Sequence, residues 1–291
     1  MNKDKVYVIT GPTGIGKTDL SLSIASSLNG EVINADASQF KKLLNIGTSK
    51  TDTSNNNIKH HLIDIIGPTD NYSIYDFQAN ARKLIHEINE RGHVPILVGG
   101  SGLYINACVY DYDLKEAGLS LDFSSYSDDE LYDLLLSLDP NTTIHKNNRR
   151  RVERAINLIK SGKDIHDTCD FNSSFELKGV VLDTDRDILY DRINKRVDQM
   201  IDCGLLDEIK NLIDEKIDLS KVNEIGYKEF IPYFYGLCTL DAAIDEVKKN
   251  TRHLAKRQLT WFRNKMNFPF VMINYDNLEE TKNEILKIFN E

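Results

Sequence analysis

The eight residues Gly11-Pro-Thr-Gly-Ile-Gly-Lys-Thr18 constrain this chain more than any other feature. They fit the pattern G-x-x-x-x-G-K-[ST], a glycine-rich loop that turns from a buried strand into a helix. The flanks agree with that reading. Val6–Thr10 is a short apolar run that predicts a strand, and Lys17–Leu28 carries apolar residues at Leu20, Leu22, Ile24, Ala25 and Leu28, as an amphipathic helix would. Such a loop holds a diphosphate, because its backbone N–H groups and the helix N-terminus attract anionic oxygens. Gly11, Thr13, Gly14 and Gly16 are expected to form the cradle. Lys17 adds a charge, and the Thr18 hydroxyl is expected to face Mg²⁺.

The rest of the chain repeats the alternation of strand and helix. Glu31–Asn34, Pro95–Val98, Gly179–Asp183 and Pro269–Asn274 read as strands, and Tyr75–Arg91 as a helix. The expected class is α/β, with a P-loop-type, mostly parallel sheet flanked by helices. Between Asp113 and Ser174 no strand pattern stands out. Ser127 and Glu130 have capping-box spacing at the head of one helix, and Arg150–Ile159 continues as another. Residues 113–174 therefore read as a small helical insertion domain within a core formed by 1–112 and 175–291. From Asp187 to Lys265 the pattern is helical, punctuated by Gly204, Gly226 and Gly236; Thr51–Asn57 is a polar loop.

Composition narrows the function. The formal net charge of −9 argues against a polyanionic partner until its distribution is read. Asp111–Asp139 holds nine acidic residues against Lys115 alone, whereas Val247–Tyr275 holds seven Lys or Arg and no acid. Lys146–Arg154 adds Lys146, Arg149, Arg150, Arg151 and Arg154 against Glu153. Two basic runs in an otherwise acidic chain point to a phosphate backbone. Cys108, Cys169, Cys203 and Cys238 are too dispersed for a zinc site or a disulfide framework. His60 and His61 have no second ligand pair nearby that would make a metal site. The N-terminal apolar run, Val6–Ile9, is too short for a signal or a span, so a cytoplasmic location without membrane association is expected.

An ATPase or kinase is the default for such a loop, but the best apolar strand, Ile96–Val98, runs into Gly99-Gly100-Ser101 rather than a magnesium-binding aspartate; Gly179–Asp183 does end in one. The remaining motifs resemble another family, the bacterial tRNA dimethylallyltransferases. The resemblance covers nearly the whole chain: Gly11–Thr18, Asp36-Ala-Ser-Gln39, Ile46-Gly-Thr48, His60-His-Leu-Ile-Asp64, Leu97-Val-Gly-Gly-Ser-Gly-Leu-Tyr104, Arg151-Val-Glu-Arg-Ala155, Asp191-Arg-Ile-Asn194, Ile225-Gly-Tyr-Lys-Glu229 and Ala255-Lys-Arg-Gln-Leu-Thr-Trp-Phe-Arg263. Four positions depart from the family pattern. Ala37 stands in place of a serine, Lys41 of a tyrosine, Leu43 of a glycine and Asn45 of an aspartate.

The resemblance implies transfer of a dimethylallyl group from dimethylallyl diphosphate to N6 of the adenosine 3′ of the anticodon, tRNA position 37. It implies that the P-loop holds the donor's diphosphate rather than ATP. The adenine amino group is a poor nucleophile, so a carboxylate must take its proton as the bond forms; Asp36, just past a strand and facing the loop, is the expected base. Lys17 and Thr18 with Mg²⁺ are expected to stabilise the leaving diphosphate. Asp36, Ser38, Gln39 and Ser101 are expected at the flipped adenine. Arg150, Arg151, Arg154, Lys256, Arg257 and Arg263 are expected on the anticodon stem-loop. Trp261 and Phe262 read as core or as a stacking platform. A monomer is expected. The alternatives are an adenylate isopentenyltransferase acting on a free nucleotide, a small-metabolite kinase, and a non-catalytic RNA-binding module, which the P-loop and Asp36 disfavour.

Overall fold

The computed structural model describes residues 3–51, 57–112, 114, 121–163 and 169–291. The chain begins with β1 (Lys5–Thr10), α1 (Lys17–Leu28), β2 (Gly30–Asn34), β3 (His60–His61), α2 (Ile74–Glu90), β4 (Val94–Gly99) and α3 (Gly102–Val109). Next come β5 (Asp111–Tyr112), α4 (Asp128–Leu138), α5 (Arg149–Lys160) and β6 (Cys169–Asp170). It ends with β7 (Glu176–Asp183), α6 (Arg186–Asp202), α7 (Leu205–Asp214), α8 (Ile231–Phe234), α9 (Leu240–Lys265), β8 (Phe270–Met272) and α10 (Leu278–Asn290).

Six strands form one sheet in the order β3-β2-β4-β1-β7-β8, every pair parallel. Strand β1 is central, and its residues Val6–Thr10 are buried because helices cover both faces of a parallel sheet. On one face Tyr7, Ile9, Val32, Ile96, Val180 and Leu182 pack with Leu20 and Ile24 of α1, Ile193 of α6 and Ile285 of α10. The strand order reverses around β1. The crevice at the C-terminal ends of β1, β2 and β4 is therefore the ligand position that this topology offers.

Contacts divide the chain into two compact units, one of 1–109 and 173–291 and one of Tyr110–Asn172. The smaller unit has its own core of Phe123, Leu131, Leu135, Val152, Ala155 and Ile156. Its helix α4 opens with the expected capping box: Ser127 N–H donates to Glu130 Oε2 at 2.8 Å, and Glu130 N–H to Ser127 Oγ at 3.3 Å. One expectation is corrected in part, because β6 falls in the stretch read as strandless and pairs antiparallel with β5. At two residues each, these strands are too short for any periodic signal. Most of the Thr51–Asn57 loop, and Asp113, Lys115 and Glu116 of the acidic stretch, lie outside the described residues.

Candidate active site

The P-loop leaves β1 through Gly11 and enters α1 through Gly16, whose φ of +97° makes it a left-handed N-cap. Gly14 has φ +81°, and a Cβ there would lie 2.7 Å from Ile193 Cγ1 of α6. Helix α6 is thus pressed against the loop, and it brings two arginines one turn apart. Arg192 Nε donates to Gly14 O at 3.2 Å, and Arg196 Nη2 donates to Thr13 Oγ1 at 3.2 Å. The Arg192 guanidinium also lies 4.1 Å from the centre of the Tyr275 ring, whose hydroxyl donates to Ile15 O at 3.1 Å. Lys17 Nζ donates to Gly11 O and Pro12 O, each at 2.9 Å. Burial, opposed by the Asp36 charge and reinforced by Arg196, lowers the Lys17 pKa to about 8.

A second wall comes from the ends of β2 and β4. Asp36 opens the short turn Ala37–Phe40 and accepts from Ser38 N–H at 3.2 Å and Ser38 Oγ at 2.5 Å, both through Oδ1. Its Oδ2 lies 3.7 Å from the position a Cβ on Gly100 would take. One carboxylate oxygen is therefore fixed by its own turn, and the other faces the Gly99-Gly100 corner. Gly99 has no room for a side chain because its Cβ would overlap the Ala35 carbonyl. The Ser101 hydroxyl accepts from Ala37 N–H at 3.2 Å. Gln39 Nε2 donates to Ser49 O at 3.4 Å.

Helix α9 ties the two walls together through one amide. Gln258 Oε1 accepts from Thr13 N–H at 2.8 Å, and its Nε2 donates to Gly100 O at 3.0 Å. The Thr13 N–H is thereby taken by the protein rather than offered to a ligand. The walls enclose a cavity of about 600 Å³ lined by Thr13, Gly14, Gly16, Lys17, Thr18, Asp36, Ser38, Gln39, Ser101 and Arg257, among others. Arg192, Arg196, Glu224 and Gln258 also line it, together with apolar Val197, Met200, Ile225, Val247 and Leu254. The cavity thus has a cationic end at the P-loop and an apolar stretch from α6 and α9.

Not every expected residue gathers here. Gly11 lies outside the lining, its Cβ direction closed by Leu182 O at 2.8 Å. Lys256 is exposed beside Trp261 on the outer face of α9, where Arg257 reaches both that face and the cavity. Arg263 pairs with Asp183 at 3.0 Å, and the other Asp183 oxygen accepts from Thr184 N–H at 2.9 Å. That aspartate, the sequence's best remaining magnesium ligand at a strand end, does not line the cavity. Arg150, Arg151 and Arg154 are exposed on α5 of the smaller unit, whereas Arg149 is held by Asp128 and Glu153. Phe262 is fully buried, and Trp261 is half-buried with its ring filling the space a Gly102 side chain would need. His61 is paired with Glu31 at 2.6 Å, and His60 Nδ1 bonds Ile58 O at 2.8 Å.

Among the described residues no three of His, Cys, Asp and Glu are grouped to hold a metal alone. Magnesium does not require such a cage: it keeps waters and takes one or two protein oxygens beside substrate phosphates. The Thr18 hydroxyl lines the cavity at the head of α1 and fits that manner of binding. The departure at Lys41 also has its partner, since its buried ammonium pairs with Glu224 at 3.0 Å. Arg192, Arg196 and Gln258 carry no role in the sequence reading. The signals for them are that Arg192 lies inside the Asp191–Asn194 motif, with Arg196 four residues on, and that Gln258 lies inside the Ala255–Arg263 motif.

A family model for IPP transferases matches residues 39–265. The tRNA dimethylallyltransferase of Halalkalibacterium halodurans is 44% identical over 294 residues, spanning 94% of each chain. The crystal structure of the full-length tRNA isopentenylpyrophosphate transferase from Bacillus halodurans superposes with a TM-score of 0.75 at 42% identity, covering 99% of this chain and 97% of that one. A eukaryotic dimethylallyltransferase acting on tRNA superposes with a TM-score of 0.85 at 28% identity, over 98% of this chain and 78% of that one. With that identity sustained over nearly its full length, this chain belongs to the IPP transferase family.

Proposed function

We propose that this protein transfers the dimethylallyl group of dimethylallyl diphosphate to N6 of the adenosine immediately 3′ of the anticodon in tRNA. One cavity holds a P-loop, two loop-bound arginines and, across from them, a carboxylate with one oxygen turned to the Gly100 corner, and this arrangement supports the reading. The donor's diphosphate binds the P-loop beside Lys17, Arg192 and Arg196, and its five-carbon tail lies along Val197, Met200 and Val247. The adenine enters toward the Gly100–Ser101 corner. N6 attacks the allylic carbon, the carbon–oxygen bond breaks, and the electron pair leaves with diphosphate. Asp36 takes the N6 proton, and Ser38 holds the carboxylate in place for it. Negative charge grows on the leaving oxygens, where Lys17 and the arginines offset it. Magnesium, when bound near Thr18, adds charge to the same leaving group.

The three exposed arginines of α5 favour tRNA over a free nucleotide, because a nucleotide has no backbone for them to meet. Mass analysis of tRNA nucleosides from cells with and without the gene tests the proposal. A dimethylallylated adenosine that disappears with the gene is expected; an unchanged nucleoside profile would overturn it.

A further inference from the structure

Glu208 stands outside the cavity and has no part in the chemistry above, yet it is the most heavily used carboxylate near it. It lies in the first turn of α7 and accepts from three consecutive backbone N–H groups: Asn45 at 3.0 Å, Ile46 at 2.9 Å and Gly47 at 3.3 Å. Such a concavity of successive N–H groups ordinarily binds an external anion; here the protein supplies its own. A fourth donor, Tyr227 Oη, reaches Glu208 Oε1 at 2.7 Å. The Tyr227 ring is fully buried and fills the space where a Gly47 side chain would begin, 2.6 Å from that Cβ position. Burial and the Glu208 charge push the phenol's pKa up, so it stays a donor.

What this clamp holds is a wall of the cavity. Gly47 lines it, as do Thr48 and Ser49, which follow directly. Ser49 has φ +48°, a conformation that its neighbours must impose. Its carbonyl can only accept, so Gln39 turns Nε2 to it and leaves Oε1 for a donor in the cavity. We propose that Glu208 is a positioning residue that, through the 45–49 loop, fixes Gln39 and Ser49 to receive the base of the nucleic acid substrate. The proposal rests on the tRNA reading above.

The test compares wild type, Glu208→Gln and Tyr227→Phe. The first keeps the volume but loses the charge. The second keeps the ring under Gly47 but removes one of the four donors. The measurements are KM and kcat with an anticodon stem-loop RNA, the Kd of dimethylallyl diphosphate by titration, and Tm. For Glu208→Gln, KM for the RNA should rise about tenfold while donor Kd stays within about twofold; Tyr227→Phe should show the same split, reduced to about threefold. A lower Tm with RNA KM unchanged in both variants would make Glu208 only structural and overturn the proposal. So would a change confined to donor Kd. If Glu208→Gln does not fold, Tyr227→Phe decides alone. A wild type that prenylates no RNA would instead sink the functional reading, before any variant is compared.

Discussion

At the scale of single residues the site depends on how few groups are left uncommitted. Asp36 spends Oδ1 on its own turn and keeps Oδ2 toward the Gly100 corner. Asp36→Asn preserves the shape and removes the proposed base. Its single-turnover rate should fall by about 10²–10⁴ with tRNA affinity nearly unchanged; a rate within about threefold of wild type would exclude Asp36 as the base. Lys17 gives a pH signature. Burial lowers its pKa to about 8, and only the protonated ammonium attracts diphosphate. Donor affinity should therefore be full below pH 8 and decline as pH rises through it. Binding near pH 8 should also take up a proton, because the bound diphosphate raises the Lys17 pKa. Calorimetry in two buffers of different ionisation enthalpy reads that uptake, and a flat affinity from pH 7 to 9.5 would count against it. Leu43, where the family pattern has glycine, sits at φ +67° and is 44% exposed. Leu43→Gly loses little burial and relieves a left-handed backbone. It should raise stability by about 0.5 kcal/mol, or about 1–2 °C in Tm.

Elements explain why part of the site could be read from the sequence and part could not. The P-loop and α1 were legible because glycines at fixed spacing and an apolar helix face are both local signals. The β4 corner was legible for the same reason, since Gly99 and Gly102 stand where a Cβ would strike Ala35 or Trp261. Strand β3 was not legible, for His60 and His61 are a strand only because β2 offers its edge. Arg192 and Arg196 look like any solvated pair on a helix until Ile193, between them, packs against Gly14. The basic stretch of α9 divides by direction. Lys256 and Arg257 are adjacent, so their side chains diverge, and only Arg257 reaches the cavity. Lys256→Ala should weaken tRNA binding and flatten its log–log salt slope by about one unit. Arg257→Ala should weaken donor binding more than it changes that slope. A salt series run beside a donor titration checks both, and unchanged slopes in the two variants would remove α9 from the RNA interface.

At the scale of the whole molecule the proposed function gives each of the two units its own surface. The larger unit holds an open cavity lined by Lys17, Arg192 and Arg196, and the smaller unit carries exposed Arg150, Arg151 and Arg154 on one helix. No described helix is long and apolar enough to cross a membrane. Changing all three arginines to alanine should reduce tRNA affinity and its salt dependence without altering donor affinity, because no donor-site residue belongs to that unit. Prenyl transfer is measured in a single assay with purified protein, Mg²⁺, labelled dimethylallyl diphosphate and, in parallel, anticodon stem-loop RNA, AMP or ATP. Label should be transferred to the RNA adenosine, with little on AMP and ATP hydrolysis negligible beside the transfer rate. Robust RNA-independent ATP hydrolysis that vanishes in Lys17→Ala, with no label on RNA, would instead make the protein a P-loop ATPase or kinase.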